Sequence, residues 1–473
     1  MSLFCYILSK SNKLDTHMDI KVLPIILSIM LPFSLYAADT LDLDNDTLEI
    51  LDDGGVMEFG DDTHTMELLD ESLGSVEELL SDATDDDFNE AGGGLSFEGK
   101  AALEFTRFYQ TGLSPDQDYH NNSSFLIEPT WRYEWDDGLQ SVVFTPFARV
   151  DEQDGNRTHV DIRELLWTKT AGDWTVRAGI GKVFWGVTES QHLVNIINQT
   201  DLIENTDGEE KLGQQMLNVA YATDYGSVEL FVLPGFRERT FPGTDGRLRL
   251  VPKVADDHVI YESGAKAKHV DVALRWAYTL GAWDVGLAHF HGTTRDPQYV
   301  PVIVGGQLVE FRTLYEIIDQ TSIDAQAVKG DWLWKFEGIT RGGQGSGRFE
   351  AATVGFEYTL GGIFETGSDL GFLAEYLYDN RRSSELTTPF DNDVYLGMRL
   401  GMNDAQSTEL LAGVIIDRSN SEWAYNVEAS RRIAEGWKVN LEARGFSNNS
   451  RKSLIAYTVR RDDYIKLELE RFF

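Results

Sequence analysis

Charged side chains at every second position are the residues of this sequence that could do chemistry. Near the C-terminus, Lys466 and Glu468 alternate with Leu467 and Leu469. Successive side chains of a strand point to opposite faces, so one face here is charged and the other apolar. The same phase, followed through the chain, places nine acidic side chains (Glu98, Glu104, Asp271, Glu337, Glu357, Glu428, Glu442, Glu468 and Glu470) and nine basic ones (Lys100, Arg275, Lys335, Arg341, Arg399, Arg432, Lys438, Arg444 and Lys466) on one side. Since the signs balance, we expect cross-strand pairing around a wet interior, with little net ion preference.

The other candidate residues form no catalytic pattern. Nine His are scattered without metal-ligand spacing, and the sequence contains neither a Gly-Xaa-Ser-Xaa-Gly motif nor a phosphate-binding loop. Asp42, Asp44 and Asp46 alternate like calcium ligands, but the loop lacks the glycine and the final glutamate of that motif. We therefore expect no enzyme, no cofactor and no metal site. A formal net charge of −37 also excludes nucleic acid, whose phosphates need basic partners.

The elements that position these charges are predicted to be strands. From Leu95 onward the chain repeats segments with alternating apolar and polar residues, such as "VDVALRWAYTL" at 270–280 and "WKVNLEARGF" at 437–446. We predict eighteen strands, at 95–110, 121–136, 139–151, 157–170, 173–183, 214–224, 227–235, 264–280, 283–292, 319–329, 331–341, 348–360, 370–379, 391–402, 407–417, 422–432, 436–447 and 460–473.

The connections between these strands alternate in length, which distinguishes a membrane barrel from a soluble sandwich. Tight turns such as "DG" and "KGD" alternate with long gaps at 184–213, 236–263 and 293–318. Short turns on one rim and long loops on the other are typical of outer-membrane barrels, and tryptophans favour the interface with the headgroups. Five tryptophans lie beside tight turns: Trp135, Trp174, Trp283, Trp332 and Trp437. The sequence therefore predicts an all-β transmembrane antiparallel barrel of 16–18 strands at 95–473, with both termini on the short-turn side.

The last strand is expected to close the barrel. In hydrocarbon every backbone N–H and C=O needs a partner within the protein, so an open sheet edge is not tolerated. We expect 460–473 to pair with 95–110, and Phe473 to serve as the terminal signal read by the barrel-insertion machinery.

A leader and an acidic segment precede the predicted barrel. Lys21, the apolar run 22–35 and the small residues Ala37 and Ala38 predict a signal peptide at 1–38. Residues 39–94 hold 20 acidic residues and no Lys or Arg, which is typical of a solvated tail. Within it, "TLEILDD" recurs as "TMELLDE", and one helical stripe is formed by Met66, Leu69, Leu73, Val76 and Leu80. This periplasmic segment is either a plain tail or a short helical docking element for a partner.

A barrel of this size has an interior too wide for side chains to fill. The long gap 184–213 is the best candidate to narrow it, and its centre from Glu189 to Glu204 is compatible with an amphipathic helix. A second long connection carries five basic residues, which suit either an anionic solute or the phosphates of lipopolysaccharide: Arg237, Arg239, Arg247, Arg249 and Lys253.

The stretch 177–204 resembles a known family. Its residues Trp185, Gly186, Asn195, Asn198 and Asp201 match a motif in which a strand is followed by Trp-Gly and then by Asn-Xaa-Xaa-Asn-Pro-Xaa-Asp, with Gln199 in place of the proline. The motif is similar to that of proteobacterial porin-like outer-membrane barrels of unknown function, distantly akin to alginate-export barrels. The resemblance implies a channel, and some members are associated with inner-membrane exporters and periplasmic lipid carriers.

Three functions follow as expectations. The first is a channel of a Gram-negative outer membrane that passes a small solute, with its lumen narrowed by 184–213. The second is the outer-membrane part of an export or lipid-transfer assembly, docked through 39–94 to a periplasmic or inner-membrane protein. The third is a surface adhesin or receptor that uses the long loops. Expected partners are outer-membrane lipid, lipopolysaccharide and the insertion machinery.

Overall fold

The computed structural model describes residues 93–345, 347–381, 390–419, 422–447 and 454–473. Two predictions concern residues outside this part of the chain, because residues 1–92 are not among those described. They are the leader at 1–38 and, except for its last two residues, the acidic segment at 39–94. The stripe of Met66, Leu69, Leu73, Val76 and Leu80 lies there too.

Within the described ranges, eighteen strands form one closed antiparallel sheet. They are β1 (Leu95–Phe108), β2 (Asn121–Trp135), β3 (Gln140–Asp151), β4 (His159–Ala171), β5 (Trp174–Gly181), β6 (Gln214–Thr223), β7 (Gly226–Pro234), β9 (Val270–Leu280), β10 (Trp283–Thr293), β13 (Ile317–Lys329), β14 (Trp332–Gly342), β15 (Phe349–Leu360), β16 (Asp369–Asp379), β17 (Asn392–Gly401), β18 (Glu409–Asp417), β19 (Trp423–Ala434), β20 (Trp437–Ser447) and β21 (Tyr464–Phe472). The predicted barrel and its strand number are confirmed.

A second, smaller sheet is built from the long connections. It contains β8 (Val254–Tyr261), β11 (Gln298–Val304) and β12 (Gln307–Tyr315). β11 and β12 form an antiparallel hairpin, and β8 pairs with β12 in parallel. The sequence prediction treated these residues as loops.

Helical structure in the described ranges is short. Three 3₁₀ turns occur at Pro115–Gln117, Lys266–Lys268 and Ile363–Glu365, and one α-helix, α1, at Leu454–Val459. None of the described helices has the length and apolar character that a transmembrane helix needs. Two predicted strand starts were wrong, because the 3₁₀ turn precedes β9 and α1 precedes β21. These strands begin at Val270 and Tyr464 instead of 264 and 460.

The closing contact joins the first and last strands. Nine consecutive residue pairs link β1 to β21, from Lys100 opposite Phe472 to Phe108 opposite Tyr464. Beyond them, the Gly99 N–H donates to the Phe473 carbonyl at 2.8 Å, and the Phe473 N–H donates to the Gly99 carbonyl at 3.0 Å. A Cβ at residue 99 would lie 2.9 Å from the Phe473 ring, so a glycine is needed where the terminal aromatic crosses β1.

The inward and outward faces of the wall differ in polarity, because successive side chains of a strand point to opposite faces. On β1, Leu103 is 59 % exposed while its neighbour Glu104 is 5 % exposed. The outward face is apolar along other strands too, for example at Leu274, Val354 and Leu467, all about half exposed. An apolar outer surface without protein cover fits hydrocarbon as the surrounding solvent.

The rim of tight turns carries exposed aromatic side chains. Trp174, Trp283, Trp332 and Trp437 each begin a strand beside such a turn, and each is 37–51 % exposed. Trp135 ends β2 at the same rim and its ring stacks on Tyr133, with centroids 5.5 Å apart. This arrangement suits the headgroup layer of a bilayer.

A charge on the outward face of the closing strand is expected to destabilise the barrel. Leu467→Arg places a guanidinium among lipid chains, which costs about 2–4 kcal/mol near the bilayer midplane. We expect a lower urea midpoint in vesicles and a smaller fraction of heat-modifiable, folded protein on gels. Leu467→Met and the inward, charge-conserving Lys466→Arg are the controls. An unchanged midpoint for Leu467→Arg would show that this face does not contact lipid.

Candidate pore constriction

The connection between β5 and β6 lies inside the barrel. Residues 184–213, called the inner segment below, contact inward-facing side chains on well-separated strands. Glu204 pairs with Arg149 of β3, Thr188 with Glu337 of β14, and Asp207 with Arg444 of β20. The inner segment therefore spans the interior from one side of the wall to the other.

Glu337 is the first anchor of the inner segment. Its fully buried carboxylate accepts hydrogen bonds from the backbone N–H groups of Val187, Thr188 and Val194 at 2.7, 3.1 and 3.1 Å. The Thr188 hydroxyl adds a fourth at 2.9 Å. Hydrogen bonds to a charged group contribute about 1.5–3 kcal/mol each, so this one side chain fixes the path of the segment.

Glu375 of β16 is the second anchor. It accepts hydrogen bonds from the N–H groups of Glu189 and Ser190, both at 2.8 Å, and from the Ser190 hydroxyl at 2.5 Å. The Glu189 carboxylate in turn pairs with Arg399 of β17 at 2.7 Å and lies 3.8 Å from Lys335 of β14. The backbone of this turn is thus held by a carboxylate of the wall, and the side chain of Glu189 by basic side chains of the wall.

The helix considered for 189–204 does not form; the residues there are turns, bends and two isolated bridges at Thr200 and Asp201. The N–H groups of Glu189, Ser190 and Val194 donate to carboxylates of the wall instead of to carbonyls within a helix. Contacts distant in sequence therefore decide the conformation of this segment.

The motif residues act inside the inner segment and at its edges. The Asn195 Oδ1 accepts from the Trp185 N–H at 2.7 Å, and the Asn198 Oδ1 from the Val183 N–H at 2.8 Å. The Asn198 amide also donates to the carbonyls of Gly181 and Leu212, at 2.8 and 2.9 Å. One asparagine thus ties the end of β5 to the approach to β6.

Trp185 and Gly186 pack tightly at the start of the segment. The Trp185 ring is 7 % exposed, lies edge-on to Phe231, and carries the Arg275 guanidinium 4.9 Å from its centroid. At Gly186 a Cβ would lie 2.4 Å from the His192 Nδ1, so a side chain here would displace the imidazole.

Asp201 links the segment to the wall and to the loops above it. It is fully buried, accepts a hydrogen bond from Arg163 of β4 at 2.6 Å, and accepts another from the Thr240 hydroxyl at 2.6 Å. Gln199, which replaces the proline of the motif, accepts from the Arg239 Nε at 3.2 Å. These contacts join the inner segment to the connection that follows β7.

An apolar core lies between the segment and one half of the wall. The segment contributes Leu193, Val194, Ile196 and Ile197, which cluster with Trp185. The wall contributes residues of β6, β7, β9, β10 and β13–β15: Met216, Phe231, Leu233, Ala273, Ala288, Phe290, Ile318, Ile339, Phe349 and Ala351. Burial of this surface holds the inner segment against that side of the barrel.

A part of the remaining wall, β17–β20, keeps much of its inward face accessible. Along β17–β20 the inward residues are mostly partly exposed, although Asp393, Tyr395 and Gly397 of β17 are buried. Most inward residues of β13–β15 are buried. The side chains of Arg399 and Glu428 are 42 % and 43 % exposed. Open space therefore remains between the inner segment and β17–β20.

All twelve candidate lumen charges lie on inward-facing positions, and most have a partner. Short pairs join Glu442 to Lys466 and Arg444, at 2.5 and 2.6 Å, and Arg275 to Asp324 at 2.7 Å. Asp271 pairs with Arg295 at 2.6 Å, Arg399 with Glu189 at 2.7 Å, and Glu104 with Arg157 at 2.8 Å. Longer contacts are Lys100–Glu470 at 3.7 Å and Lys335–Glu357 at 3.9 Å. Glu337 holds the inner segment, and Lys438 and Glu468 lie on β20 and β21. The balance of signs is thus expressed as local pairs.

Several residues of the site were missed by sequence reasoning. Arg149, Arg163 and Glu375 follow the same alternation as the charges that were named, so the signal was present in their strands. Arg295 gave no such signal, because it follows β10 in a loop; there it donates to the Ile197 carbonyl at 2.9 Å.

The basic connection 236–253 is folded mostly inward. Arg247 pairs with Asp462 at 2.7 Å, Arg239 pairs with Asp296 at 2.9 Å, and Arg249 donates to the Leu250 carbonyl at 2.8 Å. Arg237 differs, because its side chain is 34 % exposed. This connection therefore presents less positive charge to the outside than its sequence implies.

The region holds no evident metal centre: no group of three His, Cys, Asp or Glu side chains in the described ranges is arranged to bind an ion. His192 is the titratable group of most interest. Burial lowers its pKa, but the hydrogen bond with Glu209 at 2.8 Å and the charge of Glu337, 3.7 Å away, raise the pKa further, to about 10.

The chain matches no protein-family model and no curated protein. Among solved structures, OpdO of Pseudomonas aeruginosa aligns with 80 % of this chain and 96 % of its own, at 10 % identity and a TM-score of 0.47. OccD3 (OpdP) of the same organism aligns with 83 % of this chain and 95 % of its own, at 11 % identity and a TM-score of 0.47.

A mutant of the Rh. blastica porin aligns with 80 % of this chain and all of its own, at 13 % identity and a TM-score of 0.39. At such low identities and TM-scores, these neighbours carry no argument about the function of this chain. The barrel is established by its own strand pairing, and the alginate-export likeness of the Trp185–Asp201 motif stays a prediction.

The anchoring of the inner segment is expected to weaken at alkaline pH. A pKa raised from 6.5 to about 10 means that protonated His192 stabilises the folded segment fully below pH 6.5, and that this contribution is lost as the pH rises through about 10. We expect amide exchange at 186–197, corrected for its intrinsic pH dependence, to accelerate over that range. His192→Gln should show no such step. Equal pH profiles for both proteins would contradict this role.

Proposed function

We propose that this protein is a porin-like channel of a bacterial outer membrane, in which the inner segment narrows the lumen. The observation that carries the proposal is the asymmetry of the interior. The segment is packed on the side of β13–β16, while most inward residues of β17–β20 remain accessible. A solute would pass beside the segment along β17–β20.

The polarity of this passage supports a small hydrophilic solute. Its sides are formed by ion pairs that bridge the inner segment to the wall, Glu189–Arg399 on one edge and Asp207–Arg444 on the other. Each pair presents both signs of charge beside the passage, which orients dipolar solutes and favours neither cations nor anions strongly. The weak ion preference expected from the balanced charges therefore extends to the passage itself.

Removal of the inner segment is expected to raise single-channel conductance several-fold. Replacing residues 186–210 by a short Gly-Ser linker removes the segment but keeps the closed wall. The measurement is planar-bilayer conductance of the purified protein beside the variant. Shortening the β11–β12 hairpin at 303–308 is the matched control, because the side chains at its tip are exposed. This variant should conduct like the wild type. A barrel that conducts neither with the segment nor without it would overturn the proposal.

A second proposal concerns the acidic segment 39–94 and rests on its sequence. The recurring phrases and the stripe that includes Leu69 and Leu80 favour docking to a periplasmic or inner-membrane partner, as in an export or lipid-transfer assembly. We expect the full-length protein to retain such a partner in crosslinked membranes, and the double variant Leu69→Asp, Leu80→Asp to lose it while still conducting. Identical crosslinks from both proteins would make the segment a passive acidic tail.

A further inference from the structure

The wall is irregular between β2 and β3. Their pairing runs to Ile127 opposite Ala148 and resumes at Trp131 opposite Phe144. If the register is continued into the gap from either pair, Pro129 lies opposite Pro146. Proline has no N–H, so neither residue can donate across this part of the ladder. The two strands are therefore unpaired over a short stretch of the wall.

A second irregularity adjoins the first. The register between β3 and β4 shifts at Thr145 and Pro146, and β5 pairs with β4 only as far as Leu165 opposite Ile180. Beyond this last pair, the inner segment lies beside β4 where β5 would otherwise continue. Gly213 approaches β4 so closely that a Cβ there would lie 2.5 Å from the Arg163 carbonyl oxygen.

These irregularities open a groove of about 730 Å³ in the wall. Its sides are largely apolar and include Ile127, Ile162 and Ile180. Val160, also on the groove, is 81 % exposed, and Ile127 and Ile162 are more than one-third exposed, which places the opening on the outward face. The volume lies within the range of small-molecule sites, about 300–1,000 Å³.

One end of the groove is polar. Arg237 follows β7 at the rim of the long loops; it donates to the Asp161 carboxylate at 2.8 Å and to the Gly213 carbonyl at 3.0 Å. A guanidinium carries five N–H donors. Among the described residues, the hydrogen bonds of Arg237 go to Asp161 and Gly213 only, and one-third of its side chain is exposed. Donors are thus left for an anionic oxygen.

We propose that this groove binds one lipid with a phosphate-bearing headgroup, with an acyl chain between the isoleucines and the phosphate on Arg237. The proposal rests on the membrane location in the proposed function. Acyl chains are then the solvent of the outward face, and an apolar groove open to them is filled by a chain and not by water. Arg237 lies at the rim of the long loops, where headgroups would begin, and its unused N–H donors suit a phosphate oxygen.

Native mass spectrometry of the full-length protein in detergent, titrated with phosphatidylglycerol, tests the site. We expect one tightly retained lipid on the wild-type protein. Ala148→Trp, which fills the groove, and Arg237→Gln, which removes the cation, should each weaken retention by about tenfold or more. Ala148→Leu is the milder variant if the tryptophan prevents folding. The controls are Ala412→Trp, on the outward face of β18, and Arg348→Gln, an exposed arginine in the loop after β14; both should retain the lipid.

Equal retention by all five variants and the wild type would overturn the proposal, and so would equal binding of glycerol phosphate, which has no chain. Planar-bilayer conductance of the same preparations separates this proposal from the channel. We expect Ala148→Trp and Arg237→Gln to conduct like the wild type. Loss of lipid without loss of conductance supports the site, and a non-conducting wild type that still retains the lipid would overturn the channel alone.

Discussion

Backbone hydrogen bonding is the constraint on which the rest of this structure depends. A sheet surrounded by hydrocarbon has no water to satisfy a free edge, so the first and last strands must meet. Here they do so over nine residue pairs, and the pairing extends through Gly99 and Phe473 to the end of the chain. Closure then divides every strand into a face toward lipid and a face toward the lumen, which is why the period of two runs through the whole barrel.

Closure also creates the interior that the protein has to organise. Eighteen strands among the described residues enclose more space than their side chains can fill. The buried carboxylates of Glu337 and Glu375 need hydrogen-bond donors. The backbone N–H groups of the inner segment need acceptors, because the segment is not helical. Each supplies what the other lacks. Glu337, Glu375 and the apolar core lie on the side of β13–β16, and the remaining space lies along β17–β20.

The sequence predicted the wall better than its contents for a physical reason. A strand is recognisable from the alternation of a few neighbouring residues. Each of the eighteen predicted strands accordingly corresponds to a strand of the barrel. The inner segment is decided by Glu337 and Glu375, far along the chain, and a local helical pattern at 189–204 could not reveal them. The hairpin of β11 and β12 did leave a signal, since Gly305 and Gly306 form a two-residue turn between two runs rich in residues that favour strands.

The gap between β2 and β3 shows how a lipid-facing wall can open without leaving buried donors unpaired. An ordinary residue at such a gap would expose an N–H group to hydrocarbon, at a cost of several kcal/mol. Pro129 and Pro146 have no N–H, so their gap leaves carbonyl oxygens alone without ladder partners. Two prolines facing each other therefore interrupt the ladder without leaving an N–H group unpaired. The gap between these prolines leads to the groove that ends at Arg237, which is where we propose that a lipid binds.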